Sequence, residues 1–180
     1  MGLELSRYIA NGQLLIEQID PAEISPGEFA WRVRNQVETR NCRMLVVDSL
    51  NGYMAAMPQE QQLILQMHEL ISYLSQQGVV TFLITPQSGL VGSMHSKLNV
   101  SYIADSVILI RFFEAQGRLR KAISILKHRT GAHEDAIREI RIDSQGVRVG
   151  EPLVNFRGVL TGTPELFGAD PALMEERTRE

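Results

Sequence analysis

The stretch "CRMLVVDSLNGY", residues 42–53, decides the fold. Its four consecutive apolar residues, 44–47, end on Asp48 and Ser49. An apolar run without alternation is typical of a parallel strand that is covered on both faces. The sequence therefore predicts a buried parallel strand that delivers a carboxylate and a hydroxyl to its C-terminal end.

The segments around this strand extend it into an alternating pattern. Residues 13–19 are predicted to form a short strand, and Ser25 begins a helix over residues 26–40 as its N-cap, followed by Pro26 and Glu28 in a capping-box pattern. An apolar stripe over residues 63–74 predicts a second helix, and 79–85 a second buried strand. Strands that alternate with helices imply right-handed crossovers in a parallel sheet, so the fold class is α/β.

The C-terminal half has a different pattern. A Gly- and Ser-rich stretch, residues 86–99, predicts a long functional loop. Turn residues then separate three segments of strand type, which predict antiparallel β-hairpins. These segments are residues 105–114, 118–129 and 136–149. We expect one domain over residues 1–168 and a charged tail over 169–180, either frayed or a short exposed helix.

Composition excludes several classes of protein. The chain has 180 residues, 44% hydrophobic and 22% charged, which is ordinary for a globular domain. Its net charge of −3 argues against a broad surface for nucleic acid or an anionic membrane. One cysteine cannot form an internal disulfide and fits a reducing cytoplasm. No stretch has the apolar length of a membrane span or the pattern of a signal peptide, so we expect a cytoplasmic protein.

Asp48 has two interpretations. It is either a Walker B carboxylate that holds Mg²⁺ through water, with Ser49 beside it, or a cap of the following turn. A phosphate-binding P-loop requires Gly-Lys-[Ser/Thr], because its backbone N–H groups and lysine surround the phosphates. The three lysines of the chain follow serine, arginine and leucine, so the sequence contains no Gly-Lys pair. Asp48 therefore has no P-loop partner within this sequence, and both interpretations stay open.

The segment "KHRTGAH", residues 127–133, is the second candidate. Lys127 and Arg129 are alternate residues of a predicted strand, so they would project to the same side and could bind an anion. The alternative is an edge strand whose positive charge prevents pairing with other chains. The spacing of the four histidines matches no zinc-ligand pattern, which argues against a metal site of that kind.

Four segments of the sequence resemble the KaiC family of RecA-like P-loop ATPases, the circadian clock protein and its relatives. They are "SPGEF", "RMLVVDSLNGY", "YIADSVILIRFFEAQGRLRKAISILKHRTGAHEDAIREIRI" and "NFRGVLTGTPEL", and the resemblance runs from about residue 2 to residue 166. It implies a partial RecA-like fold, with parallel core strands, flanking helices and C-terminal antiparallel β-hairpins. This part of the family's domain contains Walker B.

The resemblance also implies a site. In the family's hexameric ring, ATP lies between subunits, and one subunit holds Mg²⁺ at Walker B, here Asp48 and Ser49. The neighbouring subunit contributes a Lys-x-Arg strand in trans. The resemblance assigns nucleotide contacts to Lys127, His128, Arg129 and His133, and with less support to Lys121, Gly131 and Asp135. Gln87 lies where RecA-like proteins sense the γ-phosphate, and residues 88–98 would form the pore-facing loop.

The absent motifs limit what this resemblance implies. The family's domain begins with a P-loop strand and helix and continues to catalytic glutamates, and we expect this chain to begin after them. The first hypothesis is therefore the C-terminal portion of a KaiC-like ATPase, in which ATP and Mg²⁺ bind only when another polypeptide or a missing N-terminal portion supplies the P-loop. On this hypothesis the isolated chain is inactive although its family is enzymatic.

Two alternatives remain. The second hypothesis is a non-catalytic assembly or regulatory module that docks on complete KaiC-like or signalling partners. The third, a DNA-binding recombinase relative, is the weakest, because residues 86–99 offer only Lys97 and His95 to meet phosphates. Ser101 stands where the clock protein carries a phosphorylated pair, but its neighbouring threonine is replaced by Tyr102, which favours a structural role. An uncovered flank of the sheet further predicts self-association, either as a homo-oligomer or with KaiC-like neighbours.

Overall fold

The computed structural model describes residues 4–55, 60–86, 103–168 and 173–174. Backbone contacts divide the chain into two compact units, one of residues 8–86 and one of residues 87–180 together with 1–7. A short helix, α1 (Leu5–Ala10), lies near the N-terminus. The first unit then contains α2 (Pro26–Arg40), β1 (Met44–Asp48), α3 (Leu50–Ala55), α4 (Glu60–Gln76) and β2 (Val80–Ile84).

Helix α2 begins and ends where its sequence predicts. Ser25 Oγ accepts a hydrogen bond from the Glu28 N–H at 3.1 Å, and Pro26 takes the first helical position. The Glu28 carboxylate pairs with Arg32, one turn later, at 2.6 Å. Asn41 closes the helix in the left-handed conformation. The helix buries one face, formed by Phe29, Val33 and Val37.

The predicted strand over residues 13–19 is absent, so that prediction was wrong. The segment has no regular secondary structure, and Leu15 and Ile16 are exposed. A strand needs a neighbour to pair its backbone N–H and C=O groups. No strand in the described part of the chain pairs with this segment. Its contact with α2 is instead a side-chain hydrogen bond from Gln36 to Glu17 at 3.3 Å.

Strands β1 and β2 form a parallel pair, as predicted, with Met44 level with Val80 and Asp48 level with Ile84. Helix α4 connects them and packs on β2. It buries an apolar stripe, and Gly78, at φ +69°, follows its end in the conformation that favours glycine. The stripe consists of Leu63, Met67, Leu70 and Leu74.

Among the described residues, the two parallel strands are covered on one face only, so the prediction of burial on both faces was wrong. Burial alternates along each strand, because the helices of this unit cover a single side of the pair. The other side, which we call the open sheet face, carries apolar side chains that are 43–61% exposed. It consists of Met44, Val46, Val80, Phe82 and Ile84.

The second unit is an antiparallel sheet in the order β3-β4-β5-β6, with a small β7–β8 pair beside it in sequence. The predicted turns at Gln116-Gly117 and at Gly146 are present, each with positive φ. The strands are β3 (Ser106–Ala115), β4 (Arg118–His128), β5 (Arg138–Asp143), β6 (Gly146–Pro152), β7 (Phe156–Arg157) and β8 (Glu165–Leu166). Their core cluster contains Phe113, Ala115, Ala122, Leu153 and Val159.

Two further expectations concern segments at the margins of the structure. The predicted loop over residues 86–99 lies outside the described residues, apart from Pro86. Within the C-terminal tail, Leu173 and Met174 are described and partly buried, which a frayed or exposed tail does not predict for this position. Among the described helices, none combines the length and apolar character needed to cross a membrane.

Candidate functional site

The first part of the candidate site is the carboxyl end of β1. Asp48 is the last residue of the strand and lies level with Ile84 at the end of β2. In open α/β sheets, ligands bind at this edge, outside the carboxyl ends of parallel strands. Asp48 is exposed, and among the described residues its carboxylate has no hydrogen-bond or ion-pair partner. Its charge is therefore available to a ligand.

The chain after Asp48 is fixed by contacts that do not use the carboxylate. The Gly52 N–H donates to the Ser49 carbonyl at 3.1 Å, and the side chain of Leu50 is almost fully buried. Asn51 Nδ2 donates to the Pro86 carbonyl at 3.4 Å, which joins the ends of the two strands. The peptide bond between Asp48 and Ser49 is cis. The turn-cap interpretation of Asp48 thus lacks its hydrogen bond within the described chain.

A magnesium ion at this edge would rely on other ligands as well. The described residues contain no group of three or more His, Cys, Asp or Glu side chains that could hold a metal by itself. Mg²⁺ keeps several of its waters and is commonly bound through one or two carboxylates together with substrate phosphates. One free, exposed carboxylate at a strand end fits that requirement. Asp48 and Ser49 suit an ion that arrives with a nucleotide.

The second part of the candidate site is the end of β4. Lys127 Nζ donates to the Ala104 carbonyl at 2.9 Å, and Arg129 Nη1 lies 3.1 Å from Asp105 Oδ1. The Arg129 N–H also donates to the Asp105 carbonyl at 2.8 Å, just beyond the β3–β4 ladder. The side chains of Lys127 and Arg129 therefore contact two consecutive residues, Ala104 and Asp105. The alternation in sequence predicted that they would project together.

The ion pair of Arg129 is open to solvent. The Arg129 and Asp105 side chains are 55% and 68% exposed. An exposed ion pair of this kind contributes about 0–1 kcal/mol. Arginine binds phosphate through parallel, charge-assisted hydrogen bonds, which are stronger than neutral ones. The contact with Asp105 is therefore a weak one, which a phosphate could replace.

Two histidines belong to the same segment of the chain, at the end of β4 and in the turn that follows. His128 Nδ1 and Ser106 Oγ are 2.7 Å apart, and the rings of His128 and His133 have centroids 6.2 Å apart. Gly131 lies between them at φ +102°, in a conformation that a side chain would strain. We call Lys127, His128, Arg129 and His133 the strand-end cluster.

The remaining candidate residues lie elsewhere or outside the described chain. Lys121 precedes Lys127 by six residues on β4, which is roughly 20 Å along the strand at the usual rise per residue. Its Nζ lies 5.6 Å from the centre of the Phe112 ring. Asp135 is exposed in the segment between β4 and β5. Gln87 lies outside the described residues. Of the seven nucleotide-contact candidates, the structure brings Lys127 and Arg129 to adjacent residues, Ala104 and Asp105, and His128 close to His133, with Gly131 in the turn between the two histidines.

Sequence reasoning missed Ala104 and Asp105, the partners of the two cations. Counting back from the turn at Gln116-Gly117 would have placed residue 106 opposite Lys127. A β-bulge at Leu126 instead shifts the register, so that Lys127 pairs with Val107. The hairpin turn was enough to predict that the end of β4 lies beside the start of β3. The bulge, which sets the exact register, has no comparable signature in the sequence.

Comparison with known proteins gives one family. Residues 1–154 match the family described as "ATPase: KaiC". The circadian clock protein KaiC3 of Synechocystis sp. is 40% identical over 96 residues, which are 53% of this chain and 19% of that protein. KaiC2 of the same organism is 26% identical over 168 residues, 92% of this chain and 29% of that protein. The matched region thus spans less than a third of the length of either relative.

A solved structure supports the fold. The crystal structure of a KaiC-like protein from the hyperthermophilic archaeon Pyrococcus horikoshii OT3 superposes with a TM-score of 0.69 at 22% identity. The match covers 82% of this chain and 65% of the archaeal chain. At this identity the likeness concerns the fold alone. The predicted α/β fold, with parallel strands and an antiparallel sheet, is confirmed.

Proposed function

The chain belongs to the KaiC family of ATPases, and from that premise we propose that it contributes two parts, one to each of two nucleotide sites between subunits. The first part is the Walker B carboxylate Asp48, with Ser49 beside it. The second is the cation pair Lys127 and Arg129, which reaches a nucleotide held by a neighbouring subunit. The chain alone does not hydrolyse ATP, because its sequence has no Gly-Lys pair to form a P-loop.

The observation that carries this proposal is the meeting of Lys127 and Arg129 at the end of β4. Their acceptors include a carbonyl oxygen and an exposed carboxylate, which phosphate oxygens can replace. Positive charge aimed at transferring phosphate groups stabilises the charge that develops there. In the ring that the family resemblance implies, ATP lies between subunits and the Lys-x-Arg strand reaches a nucleotide held by the neighbour. The site is therefore proposed to act in trans.

Asp48 has a separate role in the proposal. Bound Mg²⁺ would neutralise negative charge on the phosphates. Asp48 is exposed at the strand end and would accept hydrogen bonds from waters of that ion. The partner that holds the nucleotide is a KaiC-like subunit that carries a P-loop. We propose a cytoplasmic setting, in keeping with the single cysteine.

A binding experiment with a complete subunit tests the proposal. The chain would be mixed with a P-loop-containing KaiC-family ATPase, and the affinity of the mixture for a fluorescent ATP analogue measured. Removing both cations, K127A together with R129A, is expected to weaken the additional affinity about tenfold or more, since each hydrogen bond to a charged group contributes about 1.5–3 kcal/mol. R148Q is a matched control, because Arg148 is a cation of the same sheet and also pairs with a carboxylate, that of Asp143.

Two results would contradict the proposal. One is an equal loss of affinity in R148Q and in the double variant. The other is ATP hydrolysis by the isolated chain at ordinary enzyme rates, on the order of 1 per second or faster.

A non-catalytic assembly module is the second candidate function. The open sheet face supports it, because exposed apolar patches commonly mark interaction surfaces. In that case the chain would associate with KaiC-like partners, while the K127A and R129A changes would leave nucleotide affinity unaltered. The same mixing experiment therefore separates the two candidates.

A further inference from the structure

Glu139 of β5 is a buried carboxylate that the proposed nucleotide site does not use. Its side chain is 1% exposed, and it pairs with Arg120 of β4 at 2.9 Å and with Arg141 of β5 at 3.0 Å. A buried carboxylate costs several kcal/mol in lost hydration, on the order of the gain from a well-formed pair. Two arginines around one acid therefore form an ordered, partly dry cluster rather than a solvated surface pair.

This cluster holds the backbone of one distant residue, Met174. Glu139 Oε2 accepts a hydrogen bond from the Met174 N–H at 2.7 Å. Arg120 Nη1 donates to the Met174 carbonyl at 3.2 Å, and Arg141 Nη2 donates to the same oxygen. Both polar groups of one peptide residue are thus satisfied by three charged side chains. None of these contacts depends on the side chain at position 174.

Neighbouring contacts fix the register of the segment. Leu173 packs against the core cluster of the antiparallel sheet. The Met174 side chain lies against Gly150 of β6, where an added Cβ would be 3.0 Å from Met174 Cγ and 3.4 Å from its Sδ. Leu173 is therefore positioned by apolar packing of its side chain, and Met174 by hydrogen bonds of its main chain.

We propose that Glu139, Arg120 and Arg141 form a docking site for the main chain of a peptide, and that it latches the C-terminal segment of this same chain at Leu173–Met174. The site tolerates different side chains at position 174 because it binds N–H and C=O groups. It requires an N–H at that position, and it requires an apolar residue of about leucine size before it. This latch is independent of the proposed nucleotide site.

Substitutions in the segment itself test the latch without disturbing the folded sheet. M174P removes the N–H that Glu139 binds, whereas M174A keeps both main-chain groups. Hydrogen exchange of the Leu173 amide would be followed by NMR in the full chain. We expect M174A to remain within about threefold of the wild-type exchange rate, and M174P to exchange about tenfold faster or more, as expected for loss of a hydrogen bond to a charged group.

A second pair of variants checks the register. G150A leaves every charged group in place but puts a methyl group against Met174 Cγ, so we expect faster Leu173 exchange than in the wild type. The same change combined with M174A removes the clash, and the effect of G150A should vanish. Equal acceleration by M174A and M174P would overturn main-chain recognition. Wild-type exchange in M174P would overturn the latch, and a G150A effect that persists with M174A would overturn the register.

Discussion

The parallel strand pair and the antiparallel sheet of this chain both cover one face and leave the other exposed. On the antiparallel sheet, Phe113 is buried while Ile110 on the same strand is 55% exposed. On the parallel pair, Val46 of β1 and Phe82 of β2 are about half exposed, whereas the other face of these strands is covered. Antiparallel sheets commonly face water on one side, whereas parallel sheets are nearly always covered on both. Among the described residues, the parallel pair therefore lacks the second covering layer that such sheets usually have, whereas one exposed face is ordinary for the antiparallel sheet.

The largest expected effect concerns the core of the antiparallel sheet. Phe113 is 1% exposed and packs edge-to-face on Phe156 at 6.0 Å. We expect F113A to lower the free energy of unfolding of this unit by about 3–5 kcal/mol, through lost burial and a cavity. I110A, on the exposed face of the same strand, is the control and should cost far less. Denaturant unfolding measures both, and similar losses in the two variants would contradict a self-sufficient core.

The next effect concerns the open sheet face. We expect the chain to self-associate through it, and V46E combined with F82E to weaken association about tenfold or more, because full burial of such side chains is worth about 1.5–3 kcal/mol each. Sedimentation over a range of concentrations measures this, with I110E as the control on the antiparallel sheet. A strictly monomeric wild-type chain at high concentration would show that this face needs no partner.

The smallest effect lies on the helices that cover the parallel pair. The Tyr73 hydroxyl of α4 donates to Glu38 of α2 at 2.9 Å. Desolvation, and then this hydrogen bond, raise the pKa of Tyr73 above its ordinary value, against a smaller lowering by Arg34. A raised pKa of an acid means that its contribution to stability is complete below its unfolded-state pKa, about 10, and is lost as pH rises through the folded-state value.

The corresponding measurement is the melting temperature between about pH 9 and 12, a window that brackets the ordinary tyrosine pKa. The wild type should lose stability relative to Y73F as Tyr73 ionises. R40Q, on the last turn of α2, serves as a variant that leaves the Tyr73–Glu38 contact in place. Parallel pH profiles of the wild type and Y73F would refute this linkage.

Local signals predicted much of the fold. Ser25 and Pro26 located the start of α2, and the turn at Gln116-Gly117 located the β3–β4 hairpin, because each feature depends on neighbouring residues alone. The failures depended on distant partners. Residues 13–19 have the composition of a strand, but no strand in the described ranges lies beside them. The apolar run 44–47 has the same composition whether its second face is covered or open.

The candidate site divides in the same way. Alternation along β4 predicted that Lys127 and Arg129 would project together, but not that Ala104 and Asp105 would receive them. Glu139 was beyond sequence reasoning, because a glutamate among arginines in "REIRID" is typical of a solvent-facing strand. Its burial follows from Arg120 on another strand and from Met174, thirty-five positions later in the chain.

The β-bulge at Leu126 divides strand β4 into two parts, and the alternation of inward and outward side chains starts anew in the second part. Up to Ile125, the inward and outward residues follow the parity that the core imposes, with Ala122 and Ser124 buried. Beyond the extra residue, parity is reset, so the strand-end cluster follows the geometry of the segment at Ala104–Asp105 instead. Core and site can consequently vary without forcing each other's side chains to change sides. One unpaired residue makes the strand modular.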